Sequence, residues 1–204
     1  MNEDTSLDPA SAGDDDTARD LRLMLRVKGG DTEAFRELVE THQQRIIATI
    51  AKMLGDAIEA EDLAQEVFLR IWKSAPRWEP TAKFTTWAFI IMKNIVFNES
   101  RRRSRRKTTP LEQENDDFPQ RQYADESVKP PDRAMLDAEH QDVIERAIQE
   151  LPEVARMALI LRRYQDVSYD EIAVILKLSL PAVKSVLFRA RNELRDKLRQ
   201  YLGD

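Results

Sequence analysis

At 204 residues the chain has room for one domain or two small ones. With no cysteine and only His42 and His140 as imidazoles, disulfide frameworks, thiolate metal sites and His-based clusters are excluded. No apolar run approaches the ~20 residues a bilayer crossing needs, and the strongest, Trp87 to Phe97, is broken by Lys93 and Asn94. Asp4, Asp8, Asp14, Asp15 and Asp16 stand where an export signal needs a basic segment. The chain is therefore expected to be soluble and cytoplasmic, without direct membrane insertion and without a cofactor.

The net charge of −5 hides a segregated distribution. Acids gather before Asp20 and between Glu112 and Asp132, while cations cluster at 101–107 and 184–199. Phosphate affinity follows such local basic patches rather than the average. Glycine is scarce, at 5 residues, and β-branched alternation is hard to find, so the predicted fold is all-α, in small helical units.

Residues 1–18 are polar, acidic and aperiodic, which predicts a disordered tail. Asp31 is a suitable N-cap after Gly29 and Gly30, and Phe35, Leu38, Val39, His42, Ile46, Ile50, Met53 and Leu54 then make a helical stripe that Gly55 can end. Asp56 and Glu59 have capping-box spacing and open a second helix with Leu63, Val67, Phe68 and Ile71 inward. Asp62, Gln65, Glu66, Leu69 and Arg70 lie largely on its other faces. Pro76 and Pro80 bracket a loop from Ala75 to Lys83. The next helix turns Phe84, Trp87, Ala88, Ile91, Ile95 and Val96 toward a core.

That region carries chemistry of its own. Trp78 lies in the loop between two prolines, a position from which a ring can meet an unstacked base, worth roughly 1–3 kcal/mol. Asn94 interrupts an apolar helix face; its amide either reads a base edge by paired hydrogen bonds or caps a neighbouring backbone group. Arg101, Arg102, Arg103, Arg105, Arg106 and Lys107 fall within seven positions, a density that favours phosphate, on a segment that either extends the helix or frays from it. The reading of residues 19–107 as one domain ends there. Residues 108–131, with Pro110, Pro119, Pro130 and Pro131 among acids and amides, have linker composition.

A second helical block, 132–204, contains Val143 to Leu151, then Val154 to Tyr164, then a helix–turn–helix. Ser168, Tyr169, Asp170 and Glu171 form a capping box that opens the helix Ile172 to Leu176. Ser179 caps the last helix and Pro181 fits its first turn, where no amide proton is needed. Val183, Leu187, Ala190, Leu194 and Leu198 make its apolar seam. Lys184, Ser185, Phe188 and Arg189 fall off that seam near the helix start, where a recognition helix meets base edges. Arg189 suits guanine bidentately, and Phe188 either touches a thymine methyl or packs. Arg191, Arg195 and Lys197 are phosphate contacts or solvated charges.

The runs Asp62-Leu63-Ala64-Gln65-Glu66-Val67-Phe68-Leu69-Arg70-Ile71-Trp72, Phe84-Thr85-Thr86-Trp87, Leu151-Pro152, Ser168 to Ala173 and Val183 to Arg191 together resemble bacterial RNA polymerase sigma factors of the extracytoplasmic-function group. The resemblance spans 20–107 and 132–202. It implies two helical domains, a sigma region 2-like bundle and a sigma region 4-like helix–turn–helix domain, joined by a flexible acidic linker. It further implies a subunit that binds core RNA polymerase through Asp62, Gln65, Glu66, Leu69 and Arg70. The Trp78–Lys83 loop, with Lys83 and Asn94, would capture flipped bases of the −10 element, beside phosphate contacts from Arg101, Arg102 and Arg103. Arg162, Lys184, Ser185, Phe188 and Arg189 would read the −35 element as duplex. An anti-sigma factor is an implied partner. Val186 departs from a position often basic in the family, and Pro181-Ala182 stand where Gly-Thr is frequent.

Other classes explain less. A conventional helix–turn–helix regulator of duplex operators leaves Trp78, the basic run and the Asp62–Arg70 face idle. Catalysis has only the Asp62 and Glu66 pair at helical spacing, with no His or Cys to complete a metal site, and no phosphate-binding G-x-x-x-x-G-K-[ST] occurs; the chain is expected not to be an enzyme. An RNA-binding adaptor rests on the arginine run alone.

Overall fold

The computed structural model describes residues 9–108 and 141–202. Among these every regular element is a helix: α1 (Pro9–Lys28), α2 (Thr32–Leu54), α3 (Ala57–Ser74), a 3-10 turn (Ala75–Arg77), α4 (Phe84–Thr108), α5 (described over 141–149), α6 (Glu153–Tyr164), α7 (Tyr169–Leu176) and α8 (Leu180–Leu202). The linker assigned to 108–131 falls outside the described residues apart from Thr108, which ends α4.

The element boundaries follow local chemistry. The Asp31 carboxylate accepts from the Glu33 and Ala34 amides, both at 3.0 Å, satisfying donors that α2 leaves open at its start. The Ala34 amide foremost, then the Arg26 guanidinium and the Glu33 amide, hold the Asp31 carboxyl below the ordinary range against burial, which pushes it up. Gly55 ends α2 at φ 70°, a left-handed conformation that costs glycine little. Asp56 then accepts from the Glu59 amide at 3.0 Å and starts α3.

Helix α1 departs from the expected tail. Residues 9–18 are helical and continue into a stripe, Asp20, Leu23, Met24 and Val27, buried against the bundle. Once its packed half is formed, each further residue adds one helical hydrogen bond, so an acidic composition does not prevent the helix from extending outward. Residues 1–8 lie outside the described residues.

In the first half α1, α2, α3 and α4 enclose Leu38, Ile46, Ile50, Val67, Ile71, Phe89 and Met92. In the second, α6 packs on α7 and α8 around Met157, Ile160, Leu161, Ile172, Ile175, Val183 and Leu187. The two halves are not held apart. Helix α4 packs on α7, and α2 packs on α6.

Candidate nucleic-acid interface

Helix α8 presents its first half outward because the turn before it is tightly closed. The Ser168 hydroxyl accepts from the Glu171 amide at 3.2 Å, and the Ser168 amide donates to the Glu171 carboxylate at 3.0 Å, so the predicted capping box is complete. Lys177 ends α7 at φ 55°, and the Ala182 amide donates to Ser179 Oγ at 3.4 Å to begin α8. With Val183, Leu187 and Ala190 buried, Lys184, Ser185, Phe188 and Arg189 stand exposed on one face, Phe188 at 65%. Phe188 thus projects outward instead of packing. Arg189 Nε reaches only the Ser185 carbonyl of its own helix, at 3.5 Å.

Arg162 lies beside this face. Its guanidinium sits 5.4 Å from the Tyr169 ring centre and donates to the Val167 carbonyl at 3.3 Å. Arg191 donates to the Tyr169 hydroxyl at 3.2 Å, and that bond, with nearby cations, holds the phenol below its ordinary range. Arg195 and Lys197 pair with Asn192 and Glu150, so the rear of the helix is tied internally.

On α3, Asp62, Gln65, Leu69 and Arg70 are exposed and Glu66 half-buried. Arg70 pairs with Glu66 one turn before it. Leu69 is 56% exposed in the midst of these polar groups, and Ile58 is exposed on the first turn of the same helix. An apolar side chain ringed by charges is the usual make-up of a protein-docking surface.

The loop after the 3-10 turn corrects one expectation. Trp78 is 5% exposed, its ring 6.2 Å from that of Trp87, and its carbonyl accepts from Lys28 Nζ at 2.9 Å. The 3-10 turn folds the chain back so that the indole joins the aromatic core, where burying so large a ring outweighs keeping it in water. Trp78 shapes the loop and offers it no free face. Lys83 and Asn94 are exposed, as are Arg101 and Arg102. The basic segment continues α4 as regular helix to Thr108, resolving the choice between extension and fraying. Two of its cations face inward partners. Arg102 meets Glu99 at 2.7 Å, and Arg103 bonds Asp56 at 3.1 Å and also pairs with Glu59.

Contacts between the halves were not foreseen. Lys93, 7% exposed, donates to the Ile175 carbonyl at the end of α7, at 2.9 Å. Burial, and then Lys177, push its ammonium below the ordinary lysine range. Arg45 lies over the Phe89 ring at 5.3 Å and donates to Gln165 Oε1 at 2.7 Å and to its carbonyl at 2.5 Å. Arg156 donates to the Met53 carbonyl at 2.7 Å and the Leu151 carbonyl at 3.1 Å, so one guanidinium serves open acceptors near two helix ends. Lys83 meets Glu171 at 3.3 Å. The only sequence trace of this was Lys93 interrupting an apolar run; which carbonyl it serves is a tertiary matter.

A helix–turn–helix whose last helix has an exposed polar and aromatic face, packed on a helical bundle whose third helix exposes Leu69 among charges, defines a two-module helical transcription protein. Residues 38–106 match the family model Sigma-70 region 2, and residues 141–194 match Sigma-70, region 4. The RNA polymerase sigma-H factor of Pseudomonas aeruginosa is 34% identical over 187 residues, covering 91% of this chain and 97% of that one. The ECF RNA polymerase sigma factor SigW of Bacillus subtilis is 30% identical over 180 residues, covering 87% and 96%. Two solved structures share the fold. CnrH in complex with the cytosolic domain of CnrY aligns with TM-score 0.64 at 22% identity, over 89% of this chain and 98% of that one. RpoE in complex with the anti-sigma factor NepR from Bartonella quintana aligns with TM-score 0.62 at 23% identity, over 81% and 96%. The chain belongs to the sigma-70 family of RNA polymerase sigma factors, in its extracytoplasmic-function group. Among the described residues no helix is long and apolar enough to cross a membrane, and no group of three or more His, Cys, Asp or Glu is placed to hold a metal.

Proposed function

We propose that this chain binds core RNA polymerase through the α3 face and directs it to promoters, holding DNA at two places in two states. The α8 face of Lys184, Ser185, Phe188 and Arg189, with Arg162 beside it, reads the −35 element in the major groove of duplex DNA. The loop ending at Lys83, with Asn94 and the outward cation Arg101, holds the −10 element as an opened strand, and Arg102 and Arg103 brace that end of α4. Binding energy drives opening: flipping costs a few kcal/mol per base, and pocket contacts offset it. The protein acts without catalysis, in the cytoplasm. The observation that carries this reading is the exposed polar and aromatic face of α8, on a capped helix–turn–helix in a sigma-70 chain.

The two halves must part for this to work. Elements centred about 25 base pairs apart lie about 85 Å apart at ~3.4 Å per pair, whereas Lys93 touches Ile175 at 2.9 Å. Residues 109–140 reach at most about 110 Å at ~3.3–3.6 Å each, enough for the span. The packed arrangement is then one that does not read both elements, and a segment that holds the halves together would keep it so. The two fold relatives are each in complex with another protein, the cytosolic domain of CnrY in one and the anti-sigma factor NepR in the other, which supports an anti-sigma protein as a partner here.

Run-off transcription with purified core polymerase and a genomic promoter library tests the reading. Discrete promoter-dependent transcripts are expected. Failure to associate with core polymerase, or strong binding of the chain alone to duplex operators at physiological salt, overturns it.

A further inference from the structure

Helix α1 begins and ends a closed circuit of contacts around the loop that follows the 3-10 turn. Asp20, 6% exposed, is the one carboxylate in the buried stripe of α1. His42 Nε2 lies 2.9 Å from its Oδ1. The His42 ring is 5.0 Å from Phe84, the first residue of α4. Phe84 lies 6.4 Å from Trp87, and Trp87 lies 6.2 Å from Trp78. The Trp78 carbonyl then receives Lys28 Nζ at 2.9 Å, back on α1 two turns beyond Asp20. The loop leaves at Trp78 and rejoins helix at Phe84, so α1 grips both of its ends.

Ordinary packing does not call for the polar members of this circuit. A buried carboxylate is expensive and is kept where a directed bond matters more than transfer energy. Lys28 is exposed overall and brings its ammonium to a backbone carbonyl that is otherwise left open at the end of the 3-10 turn. Residues 79–83 themselves are exposed and without regular structure, so within the first half their placement depends on anchors at the loop's two ends, while Lys83 also meets Glu171 of the second half. Helix α1 also lies outside the stretch 38–106 that matches region 2.

We propose that Lys28 and Asp20 are positioning residues for the strand-holding loop, and that α1 acts as a brace setting how Lys83 and its neighbours meet the opened −10 strand. The inference rests on the reading of that loop given above. In holoenzyme assembled from the full chain and core polymerase, 2-aminopurine placed in the −10 element reports base unstacking. Lys28→Met keeps the stem and removes the donor; it should lower the opening equilibrium by about 3- to 10-fold, the worth of one hydrogen bond. Affinity for core polymerase should stay within about twofold, and Lys28→Arg should restore most of the signal.

Undiminished opening in Lys28→Met overturns the brace, as does a matching loss of core affinity and thermal stability with no rescue by arginine. Lys83→Ala separates the two ideas. If Lys83→Ala impairs opening while Lys28→Met does not, the loop reading stands and the brace falls. If neither substitution affects opening, the loop is not the strand holder and both fall.

Discussion

Lys83 Nζ stands 3.3 Å from the Glu171 carboxylate, so the cation that closes the loop of the first half is held by the acid that completes the capping box of the second. Burial pushes the Glu171 carboxyl up. The Ser168 hydroxyl and amide, and then Lys83, outweigh burial and keep it below the ordinary carboxylate range. One carboxylate thus links helix-end chemistry to the apposition of the two halves.

Acidification should act through this group. Its pKa is depressed on folding, so its stabilisation is present above the ordinary carboxylate value of about 4.5 and is lost as pH falls through the lowered folded value. Glu171→Gln retains capping-box geometry but removes the charge. Thermal unfolding followed from pH 6 down to about pH 3 should show a shallower loss of stability in Glu171→Gln than in the parent; identical slopes would remove Glu171 from the acid response.

The contact between Lys93 and the Ile175 carbonyl should hold the halves together. Lys93→Glu sets a carboxylate against the negative end of α7, a repulsion of about 1–3 kcal/mol once the lost bond is included. The chain has no cysteine, so a pair introduced for dyes, one on α3 and one on α8, labels cleanly. Energy transfer in the polymerase-free protein should fall in Lys93→Glu. Unaltered transfer would mean that this bond does not keep the chain closed.

Base reading and phosphate holding on α8 should separate by salt. Arg189→Ala should cost about 1–3 kcal/mol of discrimination at a single base pair of the −35 element. Arg191→Ala, at a phosphate contact, should weaken all sequences alike and reduce the salt slope of binding by about 1. Competition titrations of the holoenzyme against single-base promoter variants distinguish the two patterns; a flat Arg189→Ala profile would take it off the reading face.

Leu69 should be an anchor for core polymerase. It is 56% exposed, so Leu69→Asp leaves the bundle intact, yet an apolar anchor lost from the centre of an interface typically costs about 2 kcal/mol or more. Fluorescence anisotropy should show core affinity falling at least tenfold with an unchanged melting temperature. Equal core affinity would place docking elsewhere.

Local chemistry was legible along the chain. Asp31, Gly55 and Ser168 mark helix ends because caps act within a few residues, and the stripes of α2, α3 and α8 announce their buried faces because helical periodicity is a property of neighbouring positions. The same holds for the exposed start of α8, since a seam on one side leaves Lys184, Ser185, Phe188 and Arg189 on the other. Trp78 shows the limit: a ring between two prolines looked open, and only the return of the chain from the 3-10 turn onto Trp87 put it inside. Lys93 breaks an apolar run without naming its partner, and Arg45 carries no signal in the sequence; the first is buried and the second half-buried because carbonyls contributed by α7 and by Gln165 lie against them. Helix identity and its amphipathic face come from residues three or four apart, whereas the burial of a loop aromatic or a lone lysine depends on partners 82 positions away in Lys93 and 120 in Arg45, whose approach no local pattern encodes.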